Sequence, residues 1–202
     1  MLTVAGFCVA AALMLYDMRR DTRDRAVTAE VNLLNALSQD IARNVELYDL
    51  SLRAVVDGLA EPGFADLTPR IQDLLLYDRA ATASDLGAML VLDRSGKVMR
   101  GSEPGSIGTD LSDREYFQAL RADPGRGLFI SKPFWRRVTG NDEVIALARP
   151  LHTPEGAFAG VVVGTLRLAY LRDLFSKADL GPHGAVNLFL LDGTCVMRAP
   201  FQ

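Results

Sequence analysis

The residues best placed to do chemistry stand together in Ser112-Asp113-Arg114-Glu115-Tyr116-Phe117. Ser112 and Glu115 have the S-x-x-E spacing of a capping box, in which each side chain satisfies a free N–H of the other end, and this predicts a helix over 113–121. Arg114 then falls in the first turn, where unpaired N–H groups and the helix dipole already favour an anion. Its planar guanidinium can fork onto a carboxylate. The alternative is an Arg114 that pairs with Asp113 or Asp110 and faces solvent.

Other chemistries find no foothold. A serine nucleophile would want G-x-S-x-G and a phosphate cradle G-x-x-x-x-G-K-[ST], and neither string occurs. His152 and His183 neighbour turn prolines without a second His or a Cys at metal spacing, and Cys8 and Cys195 are too few for a zinc cluster or a disulfide framework. No catalysis, metal or cofactor is expected. With 22 Lys and Arg against 25 Asp and Glu, the net charge of −3 offers no basic field for nucleic acid. The 202 residues, 49% of them apolar, fit an ordinary globular chain.

The elements that must carry Arg114 follow from hydrophobic period. Residues 1–16 contain no charge; at helical rise they reach about 24 Å, short of the roughly 30 Å hydrocarbon thickness, and are read as a clipped membrane segment. From 17 to 57 there is neither Gly nor Pro. Val27, Val31, Leu34, Leu37, Ile41, Val45, Tyr48, Leu52, Val55 and Leu59 recur in steps of three and four, one stripe of a helix that can serve as stalk and dimer surface. Gly58, Pro62 and Gly63 end it. Thr68-Pro69 starts a short helix through about Tyr77. Short β-like runs follow at 89–92, 97–99, 128–131, 144–148 and 160–168, with tight-turn compositions at 139–142 and 153–156, so the sheet is expected to be antiparallel.

One hairpin is repeated. Leu90-Val91-Leu92-Asp93-Arg94-Ser95-Gly96-Lys97-Val98-Met99-Arg100 is echoed by Phe189-Leu190-Leu191-Asp192-Gly193-Thr194-Cys195-Val196-Met197-Arg198, each a strand, an Asp/Gly turn and Val-Met-Arg. The echo predicts two related domains, the second only begun.

This order of elements resembles the extracytoplasmic double-Cache sensor domains, which are PAS-like, most nearly those that precede diguanylate cyclases. The resemblance is carried by Ile41-Ala42-Arg43-Asn44, Tyr48-Asp49-Leu50-Ser51-Leu52, Asp113-Arg114-Glu115-Tyr116-Phe117, Ile130-Ser131-Lys132-Pro133-Phe134, Gly156-Ala157-Phe158-Ala159-Gly160-Val161-Val162 and Leu191-Asp192-Gly193. It implies an α+β fold, a long N-terminal helix packed on a PAS-like antiparallel sheet. The corresponding parts are a membrane segment at 1–16, a stalk and dimer helix at 17–60, a membrane-distal PAS-like domain at 61–175, and a connector with the first hairpin of a second such domain at 176–202.

It further implies a homodimer held through the long helix and anchored in the bacterial inner membrane, with the sensor in the periplasm and a cytoplasmic output domain outside this chain. That output is expected to be a diguanylate cyclase; a chemoreceptor, a histidine kinase or a ligand-free dimerisation module are the alternatives. Arg19, Arg20, Arg23 and Arg25, which follow the apolar run, would by the positive-inside rule lie in the cytoplasm instead. In similar sensors the ligand sits between the capped helix and the sheet, which selects Arg114, Tyr116 and Phe117. Lys132, Phe134, Trp135 and Arg149 are expected to line the same pocket, with core packing the alternative for Phe134 and Trp135. Amino-acid-binding members place an Asp late in the strand that follows Gly-Val-Val, where this chain has Thr165. A carboxylate or a neutral small molecule therefore fits the expected partner better than an α-amino acid.

Overall fold

The computed structural model describes residues 2–77, 86–103, 105–137, 142–177 and 184–200. Helix α1 runs without a break over Leu2–Ala60. The absence of Gly and Pro from 17 to 57 removes every local reason to stop it there. The chain divides into two compact units, 1–42 and 43–202. In the first, α1 presents Leu13, Met14, Leu15, Tyr16 and Met18 to solvent and carries an Asp21–Arg25 pair one turn apart. Among the described residues no helix is long and apolar enough to cross a membrane.

The second unit holds the sheet. After α1 come a single 3₁₀ turn at Phe64–Asp66 and helix α2 at Pro69–Tyr77. The strands are β1 (Leu86–Asp93), β2 (Val98–Gly101), β3 (Phe129–Ile130), β4 (Phe134–Trp135), β5 (Glu143–His152) and β6 (Phe158–Arg167). Helix α3 (Glu115–Ala122) interrupts them and α4 (Leu168–Ser176) follows them. All pairings are antiparallel, in the order β2-β1-β6-β5-β3, with β4 also on β5. β3 and β4 form one interrupted edge. At the interruption Ser131 bonds Ala146 through both backbone and side chain, and Pro133 has no N–H to continue the ladder. The two-residue strand β4 escaped the sequence reading for that reason.

Alternation along β5 and β6 gives the sheet two different faces. Leu90 pairs with Val163, which pairs with Ala148; one residue along, Val91 pairs with Val162, which pairs with Arg149. The first set lies with Ala88, Leu92, Ala146 and Val161 in a buried cluster with Leu111, Tyr116, Phe117, Leu120 and Phe129. Alanines at 88, 146 and 148 let α3 sit close, and Phe117 meets Phe158 edge-on at 5.9 Å. On the second face Arg149 grips Asp49 of α1 through Nε and, at 2.8 Å, through Nη2. Tyr48, Leu52 and Val55 of the same helix are buried, which is where the predicted stripe finds its core.

Two expectations are corrected. The capping box does not form: the Ser112 N–H bonds the Asp110 carboxylate instead, and α3 begins at Glu115 with Arg114 as an N-cap lacking a side-chain bond. The Asx turn at Asp110 reaches the Ser112 backbone first and turns the chain before Ser112 can face the helix. The echoed hairpins, β1–β2 and β7–β8 (Val186–Phe189 and Cys195–Ala199), do share one geometry. Each has a left-handed Gly in its turn, Gly96 and Gly193, and each skips one residue, pairing Leu92 with Val98 then Val91 with Arg100, and Phe189 with Cys195 then Leu188 with Met197. In that superposition Val98 corresponds to Cys195, so the two Val-Met-Arg strings stand one residue out of register. The expected turn at 139–142, apart from Asp142, and His183 lie outside the described residues.

Gly160 marks a close approach that the fold requires. At φ +150° a Cβ there would lie 2.0 Å from the Leu92 carbonyl oxygen on the paired strand. Gly160→Ala is expected to cost about 2 kcal/mol or more, through strain at a backbone position only Gly tolerates, read as a lowered urea midpoint at unchanged slope.

Candidate functional site

Between α3 and the first face of the sheet lies a cavity of about 30 Å³, lined by Ala88, Leu90, Leu111, Arg114, Tyr116, Phe134, Arg136, Arg137, Val163 and Thr165. The walls are apolar on the sheet side. Polar groups converge from the α3 N-terminus and from the segment around β4. Arg114 stacks its guanidinium over Phe134 at 4.8 Å and donates from Nη2 to the Trp135 carbonyl at 3.3 Å. Its Nε is buried with no hydrogen-bond partner, a donor without an acceptor in a place where that is costly.

The other two guanidiniums are held by carboxylates. Arg136 donates to both oxygens of Glu103 at 3.0 and 2.8 Å, and Arg137 binds both oxygens of Asp113 at 3.0 and 2.7 Å and the Asp110 carbonyl at 3.2 Å. The Arg137 pair holds the Asp113 carboxyl below its ordinary range. Tyr116 is almost wholly buried, and that burial pushes its phenol above the usual tyrosine range, so it enters the site as a neutral hydroxyl. Thr165 donates to the Ala88 carbonyl at 3.4 Å. Gly87 makes this crowding possible: a Cβ there would stand 2.4 Å from the Thr165 hydroxyl and 3.0 Å from Arg136.

Of the residues selected from sequence, Arg114, Tyr116, Phe134 and Thr165 meet in this cavity. Phe117 is placed in the core beside it, against Phe158. Lys132 is exposed and 3.9 Å from Asp192, while its backbone N–H reaches Glu115 at 3.3 Å. Trp135 is 58% exposed and contributes its carbonyl rather than its ring. Arg149 lies on the opposite face, because it pairs with Val162 and not with Val163. Missed by the sequence reading were Arg136 and Arg137. Their signal was adjacency: they follow Trp135 directly, at the exit of a strand whose preceding aromatic lines the hollow.

Arg149 has a different task. Asp49 accepts from it and, at 3.0 Å, from Arg53; the Arg149 bond is the main cause that holds the Asp49 carboxyl below the usual carboxylate range. Tyr170 on α4 accepts from Asn44 of α1, a second polar tie to this helix. Among the described residues no group of three or more His, Cys, Asp or Glu could hold a metal ion.

No family model and no curated protein matches the chain. Solved structures do match. The extracellular domain of a protein described as a histidine kinase, rpHK1S-Z16, has 28% identity and a TM-score of 0.72, covering 84% of this chain and 68% of that one. An extracellular ligand binding receptor from Desulfohalobium retbaense follows at 18% identity and 0.66, covering 83% of this chain and 30% of the receptor. The ligand-binding domain of the Pseudomonas fluorescens chemoreceptor CtaA, in complex with L-isoleucine, stands at 21% and 0.58, with 83% and 63% covered. The chain thus spans less than two thirds of the latter two.

Because Asp49 is depressed, its share of stability is full above the unfolded carboxylate value near 4 and is lost as pH falls through the lower folded value. Asp49→Asn is expected to cost about 2 kcal/mol at pH 7 by leaving Arg149 without its carboxylate. The gap in urea midpoint to the unsubstituted chain should narrow as pH drops below about 4. A long helix leading into an antiparallel sheet is the fold this chain shares with extracellular sensor domains of histidine kinases and chemoreceptors.

Proposed function

We propose that the chain is the sensing part of a membrane receptor, a periplasmic domain that takes a small molecule into the cavity under α3 and reports it through α1. The observation that carries this reading is the buried, unpartnered Nε of Arg114 in a hollow where three guanidiniums, a neutral phenol and a hydroxyl converge on apolar walls. Built hollows of mixed polarity with an unsatisfied donor suit a ligand better than a packing core.

The geometry also supplies a route for the signal. Val163 and Thr165 face the cavity, and Val162, between Val161 and Val163 in β6, faces the side on which Arg149 holds Asp49. Ligand contact on one face is thereby one strand thickness from the clasp on α1. A ligand that prefers one packing of α3 on the sheet would shift the population of two arrangements read at that helix. Anchoring through 1–16, dimerisation along α1, and a second PAS-like domain opening at the β7–β8 hairpin complete the proposal, the last supported by the shared hairpin geometry.

For the output domain, the resemblance in sequence favours a diguanylate cyclase. The likeness to sensor domains of histidine kinases and chemoreceptors favours those outputs as the second reading. The small free volume of the cavity also suits a dimerisation module whose hollow is filled by its own side chains. A thermal-shift screen of the purified chain against organic acids, amino acids and neutral metabolites separates the sensing role from this ligand-free module. At least one compound should raise the midpoint, and Arg114→Met, folded by circular dichroism, should lose that response by tenfold or more in affinity. A flat response across all three classes would leave the dimerisation module.

A further inference from the structure

We infer that the cavity under α3 is selective for a short aliphatic monocarboxylate that carries no charged amine. This rests on the sensing role proposed above and narrows it to a ligand class.

Charge is the first argument. Two of the three guanidiniums are neutralised by Glu103 and Asp113, each through paired oxygens. Arg114 makes no direct ion pair among the described residues: the Asp113 carboxylate feels its charge but is clamped by Arg137, and the Arg114 guanidinium meets a carbonyl and an aromatic face. The site therefore keeps one positive charge, with a buried N–H aimed at no acceptor. One carboxylate balances that charge and supplies the acceptor.

An ammonium would have the reverse experience. Among the described lining residues there is no Asp or Glu, and the nearby Glu103 and Asp113 are engaged by Arg136 and Arg137. A zwitterionic amino acid would bring its positive end among three guanidiniums without a carboxylate to receive it. Thr165, on the sheet wall, offers a hydroxyl already turned to the Ala88 carbonyl. Desolvating a charge without a partner is disfavoured whatever the fit of the rest of the molecule.

Size is the second argument. A hollow of about 30 Å³ has room for two or three waters. With Leu90, Leu111, Phe134 and Val163 among its walls, that room limits the solute to a carboxylate with a tail of about one or two carbons.

Isothermal titration calorimetry of the whole purified chain with propionate, L-alanine, propionamide and hexanoate tests the inference, since the first three are near-isosteric and differ in charge. Propionate is expected to bind at least tenfold tighter than each of the other three, and Arg114→Gln, with an unchanged urea midpoint, should remove the difference between propionate and propionamide. Alanine equal to or tighter than propionate would overturn the ligand class and leave the sensing role standing. Propionamide equal to propionate would overturn anion recognition. Hexanoate as tight as propionate would overturn the size limit. No heat with these four compounds, beside a hit in the wider screen, would again defeat only the class, whereas silence in both would defeat the class and the sensing role together.

Discussion

Two ten-residue strands, β5 and β6, paired along their length, are the constraint on which the rest depends. In a strand, neighbours point to opposite sides, so a single register decides at once what faces α3 and what faces α1. A slip of one residue would send Arg149 into the hollow and Val163 onto the helix. The slip is prevented from both sides. Gly160 fits against the Leu92 carbonyl as no larger residue could, and the Arg149–Asp49 clasp holds only if Arg149 emerges on the α1 face. The buried alanines under α3 and the 0% exposure of Val161 and Val162 show that both faces are packed, which makes this sheet a wall between two compartments of the same unit rather than a half-wet surface.

Electrostatics near the hollow follows from that wall. α3 is short, and its N-terminus has no side-chain cap, so the orientation of the loop before it is set by the Asx turn at Asp110 and by the clamp of Asp113 on Arg137. The same loop positions Arg114 over Phe134. Glu103 and Asp113 are thus committed to holding Arg136 and Arg137 in place. The result is a hollow whose polar character is cationic although the chain as a whole carries a net charge of −3. Global charge offers no field for a polyanion; local pairing sets the field a small solute meets in the hollow.

The β7–β8 hairpin shows how far repetition in sequence reports repetition in structure. Its turn glycine, its backbone bonds and its skipped residue match those of β1–β2. Yet the strings that drew attention to it stand one residue apart. Composition had located the element, while the turn set the register, since the left-handed Gly and the bulge fix which residues pair irrespective of which letters repeat. In β1–β2 Val98 is buried and Met99 is 48% exposed, whereas in β7–β8 both Val196 and Met197 are buried; the same tripeptide serves different faces.

Read alone, the amino-acid order determined whatever rests on local period and on backbone chemistry. The unbroken helix up to Gly58, the Thr68-Pro69 start, the antiparallel strands and the α+β class were all legible, because spacing of apolar residues and the punctuation of Gly and Pro act over a few residues. Arg114, Tyr116, Phe134 and Thr165, selected from the sequence through the resemblance, line one hollow. Only tertiary structure decided the rest. That Arg149 belongs to α1, that Trp135 offers a carbonyl, and that Arg136 and Arg137 join the hollow depend on strand parity and on a two-residue strand too short to have a period. The failed capping box has the same origin: Ser112 and Glu115 had the spacing, but a carboxylate two residues upstream reached the backbone first, and competition between partners for one N–H is resolved in three dimensions.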